Sequence, residues 1–251
     1  MQDHLIQYIY SIADNTLILG QRLSELCGHG PSLETDIAMT NIALDLLGQT
    51  RSYYQYAAKL HEDKAITEDT IAFLRREHQY KNVLLVETLN HNFAYVMVRQ
   101  FFFDVYHLLL LKKLQHSEDD QLSAVAEKSI KEVMYHFRFS SDWIKRLGDG
   151  TEESHQKTQK AINDLWPYTG ELFLQTEAEK MMTADGTGVD NTTLKEMYQQ
   201  KVTDIIAEAT LTLPEISWFH KGGKEGIHTE HFGYLLSDMQ FMQRSYPDMD
   251  W

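Results

Sequence analysis

A long stretch without proline, between Pro31 and Pro167, limits what this chain can fold into. Within it, residues 33–60 carry apolar side chains at steps of three and four, which is the period of an α-helix. Ser32 is a suitable N-cap, and Glu34 follows in the first turn, where the helix dipole favours acidic groups. The pattern predicts one helix of about 28 residues, well above the usual length in globular proteins. The apolar positions expected to face the core are Ile37, Leu44, Leu47, Tyr54 and Ala58.

Helical periodicity continues on both sides of this stretch. It predicts further long helices over residues 4–27, 93–115 and 121–147, joined by short links as in a four-helix bundle. Shorter helices are predicted over residues 68–78, 151–166, 191–210 and 230–244.

The chain offers no strand-forming alternation, no internal repeat and no flexible linker. We therefore predict an all-α fold in a single domain over residues 1–251. Its core bundle is expected at about 4–148, and a C-terminal helical cover at about 151–251.

Composition excludes several classes of protein. The net charge of −14 argues against a nucleic-acid-binding protein, because phosphate contacts need clustered Lys and Arg. The N-terminus lacks the basic start and apolar run of a signal peptide, and the single cysteine, Cys27, suits a reducing compartment. The most apolar stretch, residues 93–114, is interrupted by Arg99 and Asp104, which indicates a buried helix and no membrane span. We expect a soluble, cytoplasmic protein.

Acidic side chains recur on the predicted inner faces of the long helices, with a spacing close to that of a di-iron site. Such a site in a four-helix bundle takes a Glu from each of two helices and a Glu-x-x-His pair from each of two more. Asp45 is followed three residues later by Gly48, and Glu132 by Tyr135, so both imidazole positions are empty. Asp104 adds a third buried carboxylate. The sequence predicts the vestige of a metal site, without a bound metal.

Two metal-binding alternatives stay open at this point. His136 lies one turn after Glu132 on the same helix face, and a working site would use Asp45, Asp104, Glu132 and His136. His228, Glu230 and His231 also stand close together. That segment spans a loop and a helix start and has no evident fourth ligand, so structural hydrogen bonding is the simpler interpretation.

A polar and basic stretch occupies residues 75–82, with the sequence RREHQYKN. One interpretation is a solvated helix end. The other is an edge that meets a phosphate-bearing ligand or another protein of a complex, since free backbone donors and basic side chains favour anions there.

Four segments give the chain a close resemblance to the PaaC family, which provides the C subunit of bacterial phenylacetyl-CoA epoxidase (phenylacetate-CoA oxygenase). The segments are LCGHGPSLETDIAMTNIALDLLGQTR, NFAYVMVRQFFFD, IKEVMYHFRFSSDWIKRLGDGTEESHQKTQKAINDLW and GGKEGIHTEHFGYLLSDMQFMQR. They cover nearly the whole chain in one order, and LDLLGQ, RLGDGT and HTEH-x-G are their most specific parts.

The resemblance implies a ferritin-like bundle within a multicomponent monooxygenase that epoxidises the ring of phenylacetyl-CoA in aerobic phenylacetate degradation. A related A subunit would hold the di-iron centre, and a reductase subunit with flavin and iron–sulfur groups would supply electrons from NADPH. The C subunit would hold no cofactor, bind the A subunit together with the other small subunits, and support the A subunit structurally. The empty positions Gly48 and Tyr135 agree with this.

The resemblance also implies phenylacetyl-CoA as the substrate, and the basic stretch is the expected place for its CoA part. The residues expected to contact CoA are Gln79, Tyr80, Lys81 and Asn82, with Lys81 on a phosphate and Tyr80 stacking or capping. A second wall is expected from Lys180, Met181 and Met182.

Two other functions remain as alternatives. The chain could be an independent di-metal oxygenase with its own site, which predicts bound iron in the pure protein. It could also be a helical partner-binding module outside catabolism, which co-purification with the other epoxidase subunits would exclude.

Overall fold

The structure, a computed structural model, describes residues 1–247 and 249. Within that part the chain is all-helical, with no strand, as predicted. The helices are α1 (Gln2–Ser24), α2 (Leu33–Leu60), α3 (Glu68–Phe73), α4 (Leu84–Glu87), α5 (Phe93–Leu114), α6 (Asp120–Gly148), α7 (Glu152–Leu165), α8 (Glu177–Ala184), α9 (Lys195–Glu208) and α10 (Phe232–Ser245). Short 3₁₀ turns cover Glu77–Gln79, Trp166–Phe173, Asn191–Leu194 and Gly223–Glu225.

The four long helices α1, α2, α5 and α6 form the bundle. α1 packs along α2, α5 packs along α6, and α2 meets α6 to close the group. Asp45 of α2 contacts His136 of α6, and Gln49 contacts Glu132, so the two helices run antiparallel. The all-α bundle of four long helices that periodicity predicts is therefore confirmed, and it is consistent with the ferritin-like fold that the family resemblance implies.

The bundle is built around α5. This helix is long and apolar enough to cross a membrane by length and composition, yet its most apolar window is completely buried inside the protein. Burial on all sides is what a helix that is hydrophobic all round requires. The remaining helices lie on the outside of the bundle: α7 and α9 on α5 and α6, α8 on α1, and α10 on α3.

The start and end of α2 agree with the sequence prediction, but the side that faces the core agrees only in part: Tyr54 is buried, and Leu47 and Ala58 are half-buried against the core. Ser32 caps the helix by accepting a hydrogen bond from the Thr35 amide. Ile37 and Leu44, expected in the core, are 51% and 60% exposed, and Met39 and Leu46 are buried instead. The helix carries two apolar faces, and its period alone does not say which one the other three helices cover.

Two shorter helices also differ from prediction. The helix expected over 68–78 ends at Phe73, because Arg75 turns inward and donates to the Ile71 carbonyl and to Asp14. The last helix begins at Phe232, two residues after the approximate predicted start, and the Thr229 amide before it donates to a buried carboxylate, Glu87.

Candidate functional site

Polar side chains from three bundle helices meet in the interior. On α2, Gln49 donates to Glu132 of α6 at 3.1 Å. On α6, the Nε2 of His136 donates to Asp45 of α2 at 3.0 Å. Asp104 of α5 lies fully buried beside them. Four-helix metalloproteins build their metal sites from side chains of facing helices that project into the bundle core.

Asp104 is held as an acceptor by two neighbours. The Gln100 amide and the Ser140 hydroxyl each donate to its carboxylate at 2.7 Å. Burial raises the pKa of Asp104 to about 7, although nearby His136 and these hydrogen bonds act in the opposite direction. Close to neutral pH this carboxyl is thus partly protonated.

His107 is the second titratable group of α5 in the interior. Burial, and then its neighbour His136, lower the pKa of His107 to about 3, so its ring is neutral at physiological pH. Neither of its ring nitrogens has a hydrogen-bond partner within the described chain, and neither does the Nδ1 of His136. The side chains that meet in the interior are therefore polar, but they do not form a group of anionic metal ligands.

The burial of α2 and α6 corrects the predicted register of the vestigial site. Gly48 is exposed and Tyr135 is 38% exposed, so neither residue occupies an inward imidazole position. The inward pairs with a spacing of three are one residue further along on each helix, because a shift of one residue turns a side chain by about 100°. These pairs are Leu46 with Gln49, and Val133 with His136.

This register decides whether a di-iron centre fits the chain. The two positions that require carboxylates hold Leu46 and Val133, which have no ligand atom. Iron of this type takes hard oxygen ligands together with imidazole. In residues 1–247 and 249, no group of three or more His, Cys, Asp and Glu side chains could hold a metal ion. The set Asp45, Asp104, Glu132 and His136 is thus not assembled as a site, and a di-iron centre does not fit here.

The second predicted metal cluster, at the start of α10, is a structural network. The ring of His228 is buried, with Nδ1 2.9 Å from Glu87 and Nε2 3.1 Å from the Tyr80 carbonyl oxygen. Both nitrogens face acceptors, so neither is available to a metal. The Glu230 side chain is exposed and that of His231 is half-buried, and the two lie beside each other outside this network. The hydrogen-bonding interpretation of HTEH is therefore the correct one.

A cleft of about 540 Å³ opens beside the basic stretch. Its lining includes Tyr10, His61, Gln79 and Lys81, and the buried guanidinium of Arg75 forms part of it. Burial lowers the pKa of Lys81, with Arg75 acting in the same direction and Asp14 in the opposite one. The cleft combines apolar walls with cationic groups, which suits an organic anion.

An ion pair buried below this cleft fixes its geometry. Arg75 donates to both carboxylate oxygens of Asp14, at 2.5 and 3.0 Å. Tyr54 and the Lys81 amide donate to the same carboxylate. The guanidinium also lies over the Tyr80 ring, 4.1 Å from its centroid. Arg75 and Lys81 are thereby tied to α1.

Comparison with known proteins agrees with this arrangement of helices. The chain matches the model of the phenylacetic acid catabolic protein family, PaaA_PaaC, over residues 1–251. It is 47% identical over 249 residues to the C subunit of 1,2-phenylacetyl-CoA epoxidase from Escherichia coli (strain K12), covering 99% of this chain and 100% of that protein. The chain belongs to the PaaA_PaaC family. The resemblance inferred from its sequence motifs is thus confirmed.

The four residues of the basic stretch that are predicted to contact CoA fall into two groups in the structure. Gln79 and Lys81 line the cleft. Tyr80 and Asn82 are fully buried: the Tyr80 hydroxyl donates to the Ala72 carbonyl, and the Asn82 amide donates to Glu87. These two side chains are therefore part of the core, and direct contact with CoA was the wrong expectation for them.

The predicted second wall also lies elsewhere. Lys180 and Met181 are exposed on α8, Met182 is buried, and none of the three lines the cleft. α8 packs on α1, whereas the cleft lies among α1, the end of α2, α3 and the segment up to Lys81.

Sequence reasoning missed the Asp14–Arg75 pair. Asp14 lies in the middle of α1 and is fully buried. The sequence does carry one signal: an ionisable residue stands among apolar residues at helical spacing, which indicates a buried carboxylate. A buried carboxylate needs a partner. The partner itself is 61 residues away in sequence, and no local pattern identifies it.

Proposed function

We propose that this chain is a non-catalytic structural subunit of a multicomponent di-iron monooxygenase that epoxidises phenylacetyl-CoA in phenylacetate degradation. Family membership and the similarity to the C subunit of the E. coli epoxidase support the pathway. The observation that carries the non-catalytic assignment is the occupation of the two inward carboxylate positions by Leu46 and Val133. A protein with this interior keeps the fold of an oxygenase component and lacks the ligands for its metal.

The proposal places the chemistry in partner proteins. A related A subunit holds the di-iron centre, and a reductase subunit with flavin and iron–sulfur groups delivers electrons from NADPH. This chain assembles with the A subunit, together with the other small subunits, in the cytoplasm, and binds neither nucleic acid nor membrane. Its net charge of −14 is consistent with the last two points.

Metal content tests the non-catalytic assignment. We expect the purified chain to hold well under one iron per polypeptide after anaerobic incubation with Fe²⁺, because the inward positions Leu46 and Val133 provide no oxygen ligand. Metal analysis by mass spectrometry measures this, with the A subunit from the same organism loaded in parallel as the positive control. About two irons per chain, held through desalting, would instead support the independent di-metal oxygenase.

We further propose that the cleft beside the basic stretch contacts the CoA part of the substrate in the assembled complex. Gln79 and Lys81 line it, and Lys81 is the cation on its rim best placed to meet a phosphate. Tyr10 and His61 stack with their ring centroids 6.3 Å apart and give the cleft an aromatic wall. Because the protein as a whole is acidic, such a local donor is what an anionic ligand requires.

Replacement of Lys81 by glutamine tests this contact. We expect the Michaelis constant of the assembled complex for phenylacetyl-CoA to rise about 5- to 10-fold, with kcat nearly unchanged. The reason is that one charge-assisted hydrogen bond is lost, and that bond stabilises the bound substrate and the transition state equally. Lys180→Gln is the matched control, because Lys180 is exposed and does not line the cleft. Equal Michaelis constants for Lys81→Gln and wild type, with the complex intact, would remove the claim.

A further inference from the structure

A second pocket, of about 210 Å³, opens between the start of α9 and the 3₁₀ turn Trp166–Phe173. Residues 213–219, which we call the clasp, provide its third side. No residue that lines this pocket also lines the cleft beside the basic stretch. The two are therefore separate places on the molecule.

The clasp is held at its two ends. Before it, the Thr212 amide donates to the Oε1 of Gln159 at 2.9 Å. After it, the His220 amide donates to the Pro167 carbonyl at 2.9 Å. Among the described residues, the clasp itself makes no backbone–backbone hydrogen bond. Because a segment with few hydrogen bonds has low local stability, the clasp can adjust its position between two fixed ends.

Aromatic side chains form one part of the pocket wall. Trp218 and Phe219 of the clasp are 55% and 40% exposed. From the other two sides, the Trp166 ring stacks with Tyr198, with centroids 6.4 Å apart. Phe219 packs directly on Gly170, where a Cβ would lie 2.4 Å from the Phe219 Cγ, so only glycine lets the clasp approach this closely. Rings that face a pocket in this way favour a flat, aromatic ligand.

The polar groups of the pocket come from the first turn of α9. Lys195, Tyr198 and Gln199 stand at i, i+3 and i+4, so they share one face of the helix. Within the described chain, the Lys195 ammonium has no ion pair and the Gln199 side chain has no hydrogen bond. Both are therefore available to a ligand.

Tyr198 adds a buried donor to these two exposed ones. Its side chain is fully buried, and among the described residues its hydroxyl has no partner at hydrogen-bond distance. The Thr169 hydroxyl beside it donates to the Trp166 carbonyl at 2.8 Å. A buried hydroxyl without a partner is unfavourable, and an acceptor on a ligand relieves that cost.

Charge and size indicate which ligand fits. The chain has a net charge of −14, yet no carboxylate is among the described residues that line this pocket, whereas Lys195 is. Glu196 and Glu215, the acidic neighbours in sequence, are exposed and do not line it. An apolar cavity of about 150 Å³ holds benzene, so this volume has room for one ring and a short acidic side chain.

We propose that this pocket binds a small aromatic carboxylate. The ring packs against Trp166 and Trp218, and the carboxylate accepts from the Lys195 ammonium and the Tyr198 hydroxyl. This binding activity goes beyond the proposed function and does not depend on it, because it uses neither the cleft nor another subunit.

Phenylacetate is the probe, titrated into the purified full-length chain and followed by isothermal titration calorimetry. For a ligand of about ten non-hydrogen atoms, we expect a Kd of about 0.1–1 mM. Two comparison compounds separate the two parts of the site. 2-Phenylethanol lacks the charge and hexanoate lacks the ring, so each should bind at least about 10-fold more weakly.

Two exposed positions test the assigned contacts, each with a matched control. Lys195→Gln should weaken phenylacetate binding at least about 5-fold, whereas Lys201→Gln, on the same helix and outside the pocket, should leave it within about twofold of wild type. Trp218→Ala should also weaken it at least about 5-fold with Tm unchanged, because this side chain is largely exposed. Tyr234→Ala, at an exposed aromatic position on α10, should have no effect.

Tyr198→Phe guards against misfolding as an explanation. It removes one oxygen without a hydrogen-bond partner, so Tm should be unchanged or higher, while phenylacetate binding weakens at least about 3-fold. Absence of saturable binding up to about 10 mM, or wild-type affinity in Lys195→Gln and Trp218→Ala, would overturn the proposal. Binding that Lys81→Gln abolishes and Lys195→Gln retains would place the acid in the cleft and overturn it as well. None of these results changes the proposed function, which iron content tests separately.

Discussion

The Arg75→Met variant is expected to unfold with a free energy about 3–5 kcal/mol lower than that of the wild type, because it leaves a buried carboxylate without its cation. Asp14 is completely buried, and Arg75 reaches both of its oxygens. The same guanidinium donates to the Ile71 and Gln79 carbonyls, which also lose their partner. Urea unfolding followed by circular dichroism measures the difference.

Two companion variants show whether the loss comes from the unpaired charge. Asp14→Asn combined with Arg75→Met should recover about 1–2 kcal/mol, since the remaining buried group is then neutral. Arg51→Met is the surface control: Arg51 is 71% exposed and lies 3.7 Å from Glu68, so its loss should change stability by less than about 0.5 kcal/mol. If Arg75→Met lowers the free energy of unfolding no more than Arg51→Met does, the Asp14–Arg75 pair does not stabilise the fold.

The second large effect is a gain of stability at high pH in Asp104→Asn. Burial raises the pKa of Asp104 from 3.8 to about 7, so the folded chain holds a proton that the unfolded chain releases near pH 4. The stability linked to that proton is fully present below about pH 4 and is lost as pH rises to about 7. Asparagine avoids this loss, and Gln100 can turn its unpaired Oε1 toward the new amide while Ser140 keeps its acceptor.

Comparison of the two proteins at two pH values isolates this effect. Relative to wild type, Asp104→Asn should be more stable by roughly 1–2 kcal/mol at pH 5 and by roughly 4–5 kcal/mol at pH 8, at about 1.4 kcal/mol per pH unit. His107, whose pKa burial lowers to about 3, gives the opposite slope between about pH 3 and 6.5, but both proteins carry it. A stability difference that is the same at pH 5 and pH 8 would show that Asp104 is ionised throughout.

The sequence by itself determined the number and extent of the long helices. The predicted helix over residues 33–60 is observed as Leu33–Leu60, with Ser32 as its cap, because helical period and capping depend on neighbours within one turn. The buried position of Asp104 also followed from its place in an apolar stretch. The family resemblance rested on contiguous motifs, which the sequence shows directly.

Only the tertiary structure decided which side of each helix is inward. α2 has two apolar faces, and the choice between them moved the inward pair from Asp45 and Gly48 to Leu46 and Gln49. Burial is set by contacts with helices that are distant in sequence, whereas periodicity is a local property.

The same reason explains the errors around the cleft. A solvated helix end and a ligand- or partner-binding edge were the two interpretations of the stretch that contains Arg75, and neither gives Arg75 a buried partner, because Asp14 lies on another helix. Tyr80 and Asn82 belong to a polar stretch in the sequence, yet packing of α10 and a bond to Glu87 place them in the core. The solvent accessibility of a side chain results from contacts with residues that are distant in sequence, and no local sequence pattern encodes those contacts. Only the tertiary structure therefore separated Gln79 and Lys81, which line the cleft, from their buried neighbours.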